Sequence, residues 1–402
     1  MTPTLLLDLD DTLLNTNIDS FIPAYFQALS RELAPYIAPE IMLRALVSGT
    51  KQMMESEDFS QTLEQVFNAK FYPQIASAYE NIASTIENFY DHVFPTLRGV
   101  TTPKPEAKPF IDWAFSQGFR IAIATDPLFP RKATHHRLRW AGFQPEQFEL
   151  VSSFEEFHFS KTHPAYYAEI LGRMGWPDGP VLMVGNDMDR DIRPAQMLGL
   201  ATYHVDDESA PPSELVMGAH GRLADLRSWL ESTDLASLFP SFKSVDSILG
   251  NLSATPAVIN GLSRGLDSSA WSHEPAPGDW SLSELVCHLR DTEREIHQIQ
   301  IELFKEKNEP FIPRPDTSVW ASQRDYFHED GASALKEFNE SRRKTLLMLK
   351  EVAADRHAWE RKARHAIFGP TNFLEVVGFI AEHDRLHIQQ AWSTLKKCRF
   401  SA

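Results

Sequence analysis

Two aspartates two residues apart, Asp8 and Asp10, follow directly on the apolar run Thr4 to Leu7. A buried strand that ends in carboxylates delivers them to the carboxyl edge of a sheet, where open α/β folds build their sites. One carboxylate can then attack as a nucleophile while the other, at the turn, handles a proton. Three later segments add to the set. Thr125 closes the run IAIAT, Lys161 lies in SKTHP just ahead of a helix beginning near Pro164, and VLMVGNDMDRDI ends in Gly185, Asn186, Asp187 and Asp191. Singly, these are a strand-end hydroxyl, a solvated lysine and acids favoured by a helix N-terminus. The ordered set, rather than any member, carries the signal. A second constellation lies near the C-terminus. His383 and His387, in AEHDRLHIQQ, are four apart on one helix face, where two imidazoles can share a metal. His288, in WSLSELVCHLRDTE, can supply a third ligand from another helix. Three His plus water leave an open position, as in catalytic metal sites, and suit Zn²⁺, Ni²⁺ and Fe²⁺ alike.

The elements that must position these groups fall into two kinds. Residues 17 to about 95 show helical spacing of Leu29, Leu33, Ile41, Leu46, Val66 and Ile82, broken at Pro35, Pro39 and Pro73. They read as an all-helical insertion, about 15–97. Short apolar runs at 119–124, 148–151, 181–184 and 201–205 then alternate with helical segments, the pattern of a parallel sheet with crossover helices, closed by a helix around 223–230. The fold class expected is therefore α/β, a Rossmann-like parallel sheet over residues 1–231, followed by a linker at 232–243. From 244 to 402 four helical segments, 244–265, 281–307, 331–353 and 371–396, predict an all-α four-helix bundle. Ser281 and Glu284 form a capping box for the second, and Thr371 is the expected cap of the fourth.

At 402 residues two domains are expected. The net charge of -16 argues against nucleic acid as a partner. Two cysteines, Cys287 and Cys398, fit a reducing compartment. The first residues lack a basic n-region, and no apolar stretch reaches the roughly 20 residues that span a bilayer, so a cytoplasmic protein without a membrane partner is expected.

The N-terminal motifs resemble those of the haloacid dehalogenase superfamily: D-x-D-x-T at Asp8 to Thr12, then Thr125, Lys161 and the GND segment, over about residues 1–231 with the insertion where the family places its cap. That resemblance implies a phosphatase on a small phosphorylated metabolite, because the family's dehalogenases lack an acid at the place of Asp10. Crowded carboxylates stay ionised only beside a cation, and Mg²⁺, a hard ion that takes oxygen ligands, is the natural one. Asp8 would form an aspartyl-phosphate, Asp10 would protonate the leaving alkoxide and then activate water, and Thr125 and Lys161 would hold the phosphoryl oxygens. Mg²⁺ would take Asp8, the backbone carbonyl of Asp10, and the acids Asp187 and Asp191. Two positions depart from the pattern. GND leaves Asn186 or Asp187 as the first ligand of that segment, with Asp187 preferred, and an aspartate follows Thr125. A phosphomutase would reuse the same residues. Arg44, Lys51 and Lys70 could reach a second anionic group or be surface charge.

The C-terminal part, about 243–402, resembles the DinB-like superfamily of metal-binding four-helix proteins, which includes thiol-dependent S-transferases. Trp280 through Glu293, Trp359, the turn Gly369–Pro370, and HDRLH followed by Gln389 carry the likeness. The resemblance implies a second divalent metal on His288, His383 and His387, and a homodimer. Asp291, Glu293 and Asp384 are candidates to orient imidazoles. Cys287 reads as core, and His297, His357 and His365 stay unassigned. As alternatives to the phosphatase reading, the resemblance leaves open that the C-terminal domain is a metal-dependent thiol S-transferase and the main activity, or that it is a non-catalytic binding or regulatory module.

Overall fold

The structure, a computed structural model, describes residues 2–75, 79–206, 218–355 and 357–401. The chain divides into two compact units, one of residues 1–170 and 177–240, the other of residues 171–176 and 241–402.

In the first unit the strands are β1 (Thr4–Leu7), β2 (Leu14–Asn15), β3 (Thr102–Pro103), β4 (Arg120–Ile123), β5 (Leu150–Val151), β6 (Val181–Gly185), β7 (Ala201–Val205) and β8 (Gly218–Gly221). Six of them make one parallel sheet in the order β5-β4-β1-β6-β7-β8. All four residues of β1 are buried, which is why its sequence is apolar throughout rather than alternating. Leu7 pairs with Ile123 on one side and with Val184 on the other, so the residues after it emerge level with the ends of β4 and β6. The strand order reverses between β1 and β6, and ligands of open α/β sheets sit at such a reversal.

The edge strand β8 has no counterpart in the sequence reading. Its residues, GAHG, carry no apolar run, yet Gly218 is what permits the pairing, because a Cβ there would collide with Thr202 of β7. The pair β2–β3 is antiparallel, with Leu14 opposite Pro103, and forms a two-stranded stem for the insertion. Between its strands lie α1 (Ile18–Leu33), α2 (Pro39–Met54), α3 (Leu63–Phe71), α4 (Tyr79–Asn88) and helical turns up to Val100. Pro39 starts α2 at a position where its missing N–H costs nothing, and Thr62 with Gln65 closes a capping box on α3.

In the second unit four long helical segments pack as a bundle. They are Val245–Ser263, Leu282–Thr292 continuing through Glu293–His297 into Gln298–Glu306, Gly331–Ala353, and Phe373–Ser401. The first and second each pack on the third and fourth. The second is interrupted by a π turn at Glu293–His297, which helical periodicity cannot show. Ser281 and Glu284 do form the capping box: Ser281 Oγ accepts from Glu284 N at 3.3 Å and Glu284 Oε2 accepts from Ser281 N at 2.9 Å. The fourth helix is capped by Asn372, whose Oδ1 accepts from Glu375 N at 2.9 Å, and not by Thr371. Thr371 lies in β11 (Gly369–Asn372), paired with β10 (Lys362–His365), which pairs in turn with β9 (Phe311–Ile312). This small sheet is hidden in the sequence because its strands are short and include Pro and Gly. Among the described residues no helix is long and apolar enough to cross a membrane.

Ser281→Ala removes one half of the capping box, and the bundle should lose about 1 kcal/mol, seen as a lower urea midpoint of its unfolding transition.

Candidate functional site

The carboxyl edge of the sheet opens into a cavity of about 440 Å³. Asp8, Asp10, Thr125 and Lys161 line it, together with Asn186, Asp187 and Asp191. Every residue singled out for the first site therefore reaches one place. Lys161 is its hub. The Lys161 Nζ lies 2.6 Å from Asp8 Oδ1 and also pairs with Asp191 Oδ1, and all three side chains are buried. The Lys161 backbone N–H donates to Asp126 Oδ1 at 3.3 Å, which gives the aspartate after Thr125 a place in the same cluster. The Thr125 carbonyl accepts from Ser152 Oγ at 2.6 Å and Tyr166 Oη at 2.7 Å, fixing the end of the strand.

Asp10 faces a different partner. Its Oδ1 accepts from Thr16 Oγ1 at 2.6 Å, and its Oδ2 pairs with the Arg137 guanidinium. Arg137 is buried on the helix Arg131–Trp140, with its guanidinium carbon 4.6 Å from the Phe129 ring centroid. RKATHHRLRW reads as a basic surface helix, so nothing local marks Arg137 as a site residue.

After β6 the backbone makes a π turn, Met188–Ile192. Asp187 caps that turn, its Oδ1 accepting from Asp189 N at 2.8 Å and Arg190 N at 3.1 Å. Asn186 Oδ1 instead accepts from Thr12 Oγ1 at 3.1 Å, beside the first motif. Asp191 folds back under Gly185, where any Cβ would collide with its carboxylate. Arg44, Lys51 and Lys70 are exposed and line no part of the cavity.

In the second unit His288, His383 and His387 come together, offering one ligand atom each within 4.8 Å of one another. Their ring centroids are 4.5 to 5.2 Å apart. The Nε2 atoms of His288 and His383 face each other at 3.1 Å, a spacing at which a shared cation satisfies both lone pairs. Trp280 covers the cluster, its ring 5.0 Å from His288 and 6.1 Å from His387. His297, unassigned in the sequence, stands 5.3 Å from His383.

Beneath the imidazoles lies a fully buried guanidinium. Arg342 donates through Nε to Glu293 Oε1 (2.7 Å), through Nη2 to Glu293 Oε2 (2.8 Å), and through Nη1 to Asp384 Oδ2 (2.6 Å) and the Leu252 carbonyl (2.9 Å). Glu293 Oε2 lies 3.1 Å from His297 Nδ1, and Asp384 Oδ1 lies 3.7 Å from His383 Nδ1. Two of the three acids proposed to orient imidazoles thus face one. Asp291 does not: it accepts from Arg290, Arg324 and Tyr326, each at 2.7 Å. Cys287 is buried, and burial pushes its thiol up to about 12, in keeping with a core residue.

Two family models divide the chain. Residues 2–199 match the haloacid dehalogenase-like hydrolases, and residues 251–391 match the DinB superfamily. The chain joins a haloacid dehalogenase-like hydrolase domain to a DinB superfamily domain. Over 211 residues it is 25% identical to the glyceraldehyde 3-phosphate phosphatase of Methanocaldococcus jannaschii, covering 50% of this chain and 83% of that protein. A phosphatase of the hydrolase family from Thermococcus onnurineus, of known structure, is 20% identical with a TM-score of 0.37, covering 57% of this chain and 98% of its own. YfiT from Bacillus subtilis, a protein with an unusual four-helix bundle topology, is 18% identical with a TM-score of 0.35, covering 40% of this chain and 93% of its own.

The electrostatics of the two domains follow from burial. In the hydrolase domain, burial and then the Asp191 carboxylate push Asp8 up to about 7, although Lys161 pulls it down. Burial likewise raises Asp191. Burial opposes the charge of Lys161, but Asp191 and Asp8 outweigh it and hold the ammonium above the ordinary lysine range. Two carboxylates and one ammonium leave one negative charge in excess, the setting a hard cation relieves. The DinB domain repeats the arithmetic, with Glu293 and Asp384 sharing Arg342. Burial and the neighbouring imidazoles lower His288 to about 3 and His387 to about 4, which keeps both neutral, the form that ligates metal.

Arg342→Met leaves two buried carboxylates unpaired and should cost about 3–5 kcal/mol of bundle stability. Adding Glu293→Gln and Asp384→Asn should recover much of that loss in the same urea titration. The two depressed imidazoles set a pH dependence. The unfolded chain takes protons below about 6.5, where folded His288 and His387 refuse them down to about 3 and 4. The metal-free bundle should therefore lose stability progressively as pH falls from about 6.5 to 4, measured by thermal melting at constant ionic strength.

Proposed function

We propose that the N-terminal domain is a Mg²⁺-dependent phosphohydrolase acting on a small phosphomonoester through an aspartyl-phosphate. The observation that carries this is the buried Asp8–Lys161–Asp191 cluster at the carboxyl edge, with Asp10 poised beside it. Asp8 attacks phosphorus, the bond to the alkoxy oxygen breaks, and Asp10 gives its proton to the leaving oxygen. Asp10 then takes a proton from water as that water attacks phosphorus, freeing Asp8 and inorganic phosphate. Lys161 and Thr125 hold the phosphoryl oxygens. To act as acid, Asp10 exchanges its contact with Arg137 for the leaving oxygen. Asp8, the Asp10 carbonyl and Asp191 fit a Mg²⁺ ion, whose contribution is to neutralise the phosphoryl charge. For the remaining ligand the capping duty of Asp187 favours Asn186, against the preference for Asp187 read from the sequence.

In the DinB domain we read His288, His383 and His387 as ligands of a second divalent metal, Zn²⁺, Ni²⁺ or Fe²⁺. Metal analysis of the purified protein, wild type against His383→Ala, tests this: stoichiometric metal lost in the variant supports it. Metal content at background in both would remove the site and any thiol-transfer chemistry built on it.

The hydrolase reading is tested by phosphate release from a panel of phosphomonoesters with and without Mg²⁺. Turnover should require Mg²⁺ and fall at least ~10³-fold in Asp8→Asn, with a loss of ~10²-fold or more in Asp10→Ala. Linkage supplies an independent signature. The folded-state value of Asp8 is raised from 3.8 to about 7, so its stability contribution is present below 3.8 and lost as pH rises towards 7. Mg²⁺ should accordingly raise the melting temperature more at pH 8 than at pH 5, and Asp8→Asn should shrink that difference, Asp191 retaining part of it.

A further inference from the structure

Asp10 fixes where the substrate's leaving group must lie, and the wall beside it is aromatic. The Phe129 ring rests against Arg137, the partner of Asp10. On its other flank Phe129 meets Tyr25 (5.4 Å between centroids) and Phe21 (6.4 Å) of α1. Tyr25 continues to Phe26 (5.6 Å), and across the cavity Phe67 of α3 meets Phe154 (6.3 Å). All of these rings line the cavity that holds Asp8. Tyr25 brings a hydroxyl to this wall, but the group is spent: Tyr25 and Tyr90 hydrogen-bond to each other at 2.8 Å in a buried pair. Charges on the lining are also engaged within the protein. Lys132 pairs with Glu87 and Asp91, Glu155 accepts from Arg131 N at 2.8 Å, and Arg190 lies 3.9 Å from both Asp126 and Asp187. Thr50, Glu64 and Asn68 are polar members of the cap side of the lining. Along the rings of Phe21, Phe26, Phe67, Phe129 and Phe154 a polyol leaving group would lose water without recovering its hydrogen bonds, whereas a flat apolar group would fill the space. The cavity volume, about 440 Å³, lies within the roughly 300–1,000 Å³ of pockets for drug-sized ligands.

We propose that the leaving group of the substrate is an aromatic or comparably apolar moiety, held between α1, α3 and Phe129, and not a short polyol. This rests on the phosphohydrolase reading above and deepens it. The test compares 2-phenylethyl phosphate with glycerol 1-phosphate, both of which leave as primary alkoxides, so that intrinsic reactivity does not decide the outcome. Acetyl phosphate, whose acyl part is too small to reach the cap, serves as reference. With Mg²⁺ present, kcat/KM for 2-phenylethyl phosphate should exceed that for glycerol 1-phosphate by roughly 100-fold. Phe26→Asn, a change at a half-buried ring, should shrink this ratio about tenfold. Phe26→Leu, which keeps apolar bulk and reads out the site if the first variant fails to fold, should shrink it less. Glycerol 1-phosphate handled as well as the aromatic ester, or a ratio indifferent to Phe26, overturns the proposal while turnover of acetyl phosphate keeps the hydrolase reading. No phosphate from any of the three, acetyl phosphate included, overturns that reading and this one with it.

Discussion

The ammonium of Lys161, buried between the carboxylates of Asp8 and Asp191, is the contact on which the first domain's chemistry depends. Two like charges cannot be brought together out of water unless a cation stands between them. The sheet supplies the geometry: β1 and β6 are neighbours, their register is even, and the π turn after β6 returns Asp191 to the strand end. Gly185 leaves the space for that return. Burial, and then the Asp191 carboxylate that the single ammonium does not fully offset, push Asp8 up to about 7. A cluster so charged is costly to the fold, and an added cation would relieve that cost.

The second domain solves an analogous problem with a guanidinium. Arg342 spans Glu293 and Asp384, and through them faces His297 and His383. Its planar fork engages the two carboxylates through three directed N–H bonds and the Leu252 carbonyl through a fourth, where the lysine of the first domain offers a compact point charge. Above them the Nε2 atoms of His288 and His383 face one another at 3.1 Å, and burial with the neighbouring imidazoles keeps His288 and His387 neutral. In both domains a single buried cation holds two carboxylates in place beside the candidate site. Nothing requires the two places to serve one reaction, since each domain has its own core and its own residues.

The helical insertion supplies most of the aromatic part of the cavity wall. Its helices bring aromatic rings to the cavity at the carboxyl edge, where the Tyr25 and Tyr90 hydroxyls hydrogen-bond to each other. On the proposed reading, the charged cluster would meet the phosphoryl group and the aromatic wall the group attached to it.

Much of this was legible in the sequence because it is encoded locally. An apolar run followed by acids fixes a strand and its functional end, and helical spacing with a Ser-x-x-Glu start fixes a bundle helix. So Asp8, Asp10, Thr125, Lys161 and Asp191, and likewise His288, His383 and His387, could be named before any fold was known. What the sequence could not determine depends on partners far apart in the chain. Arg137 lies 127 residues from Asp10, and Arg342 lies 49 from Glu293 and 42 from Asp384. Each sits in a helix whose charges read as solvated. The duties of Asn186 and Asp187 were decided by a π turn, a change of helical pitch that no side-chain pattern announces. The strand β8 was decided by close backbone approach at a glycine, and the cap of the last helix by a strand that ends at Asn372. Local pattern thus determined which residues come together at the two candidate sites. Long-range packing of charge and rings decided how they are held and what surrounds the reacting bond.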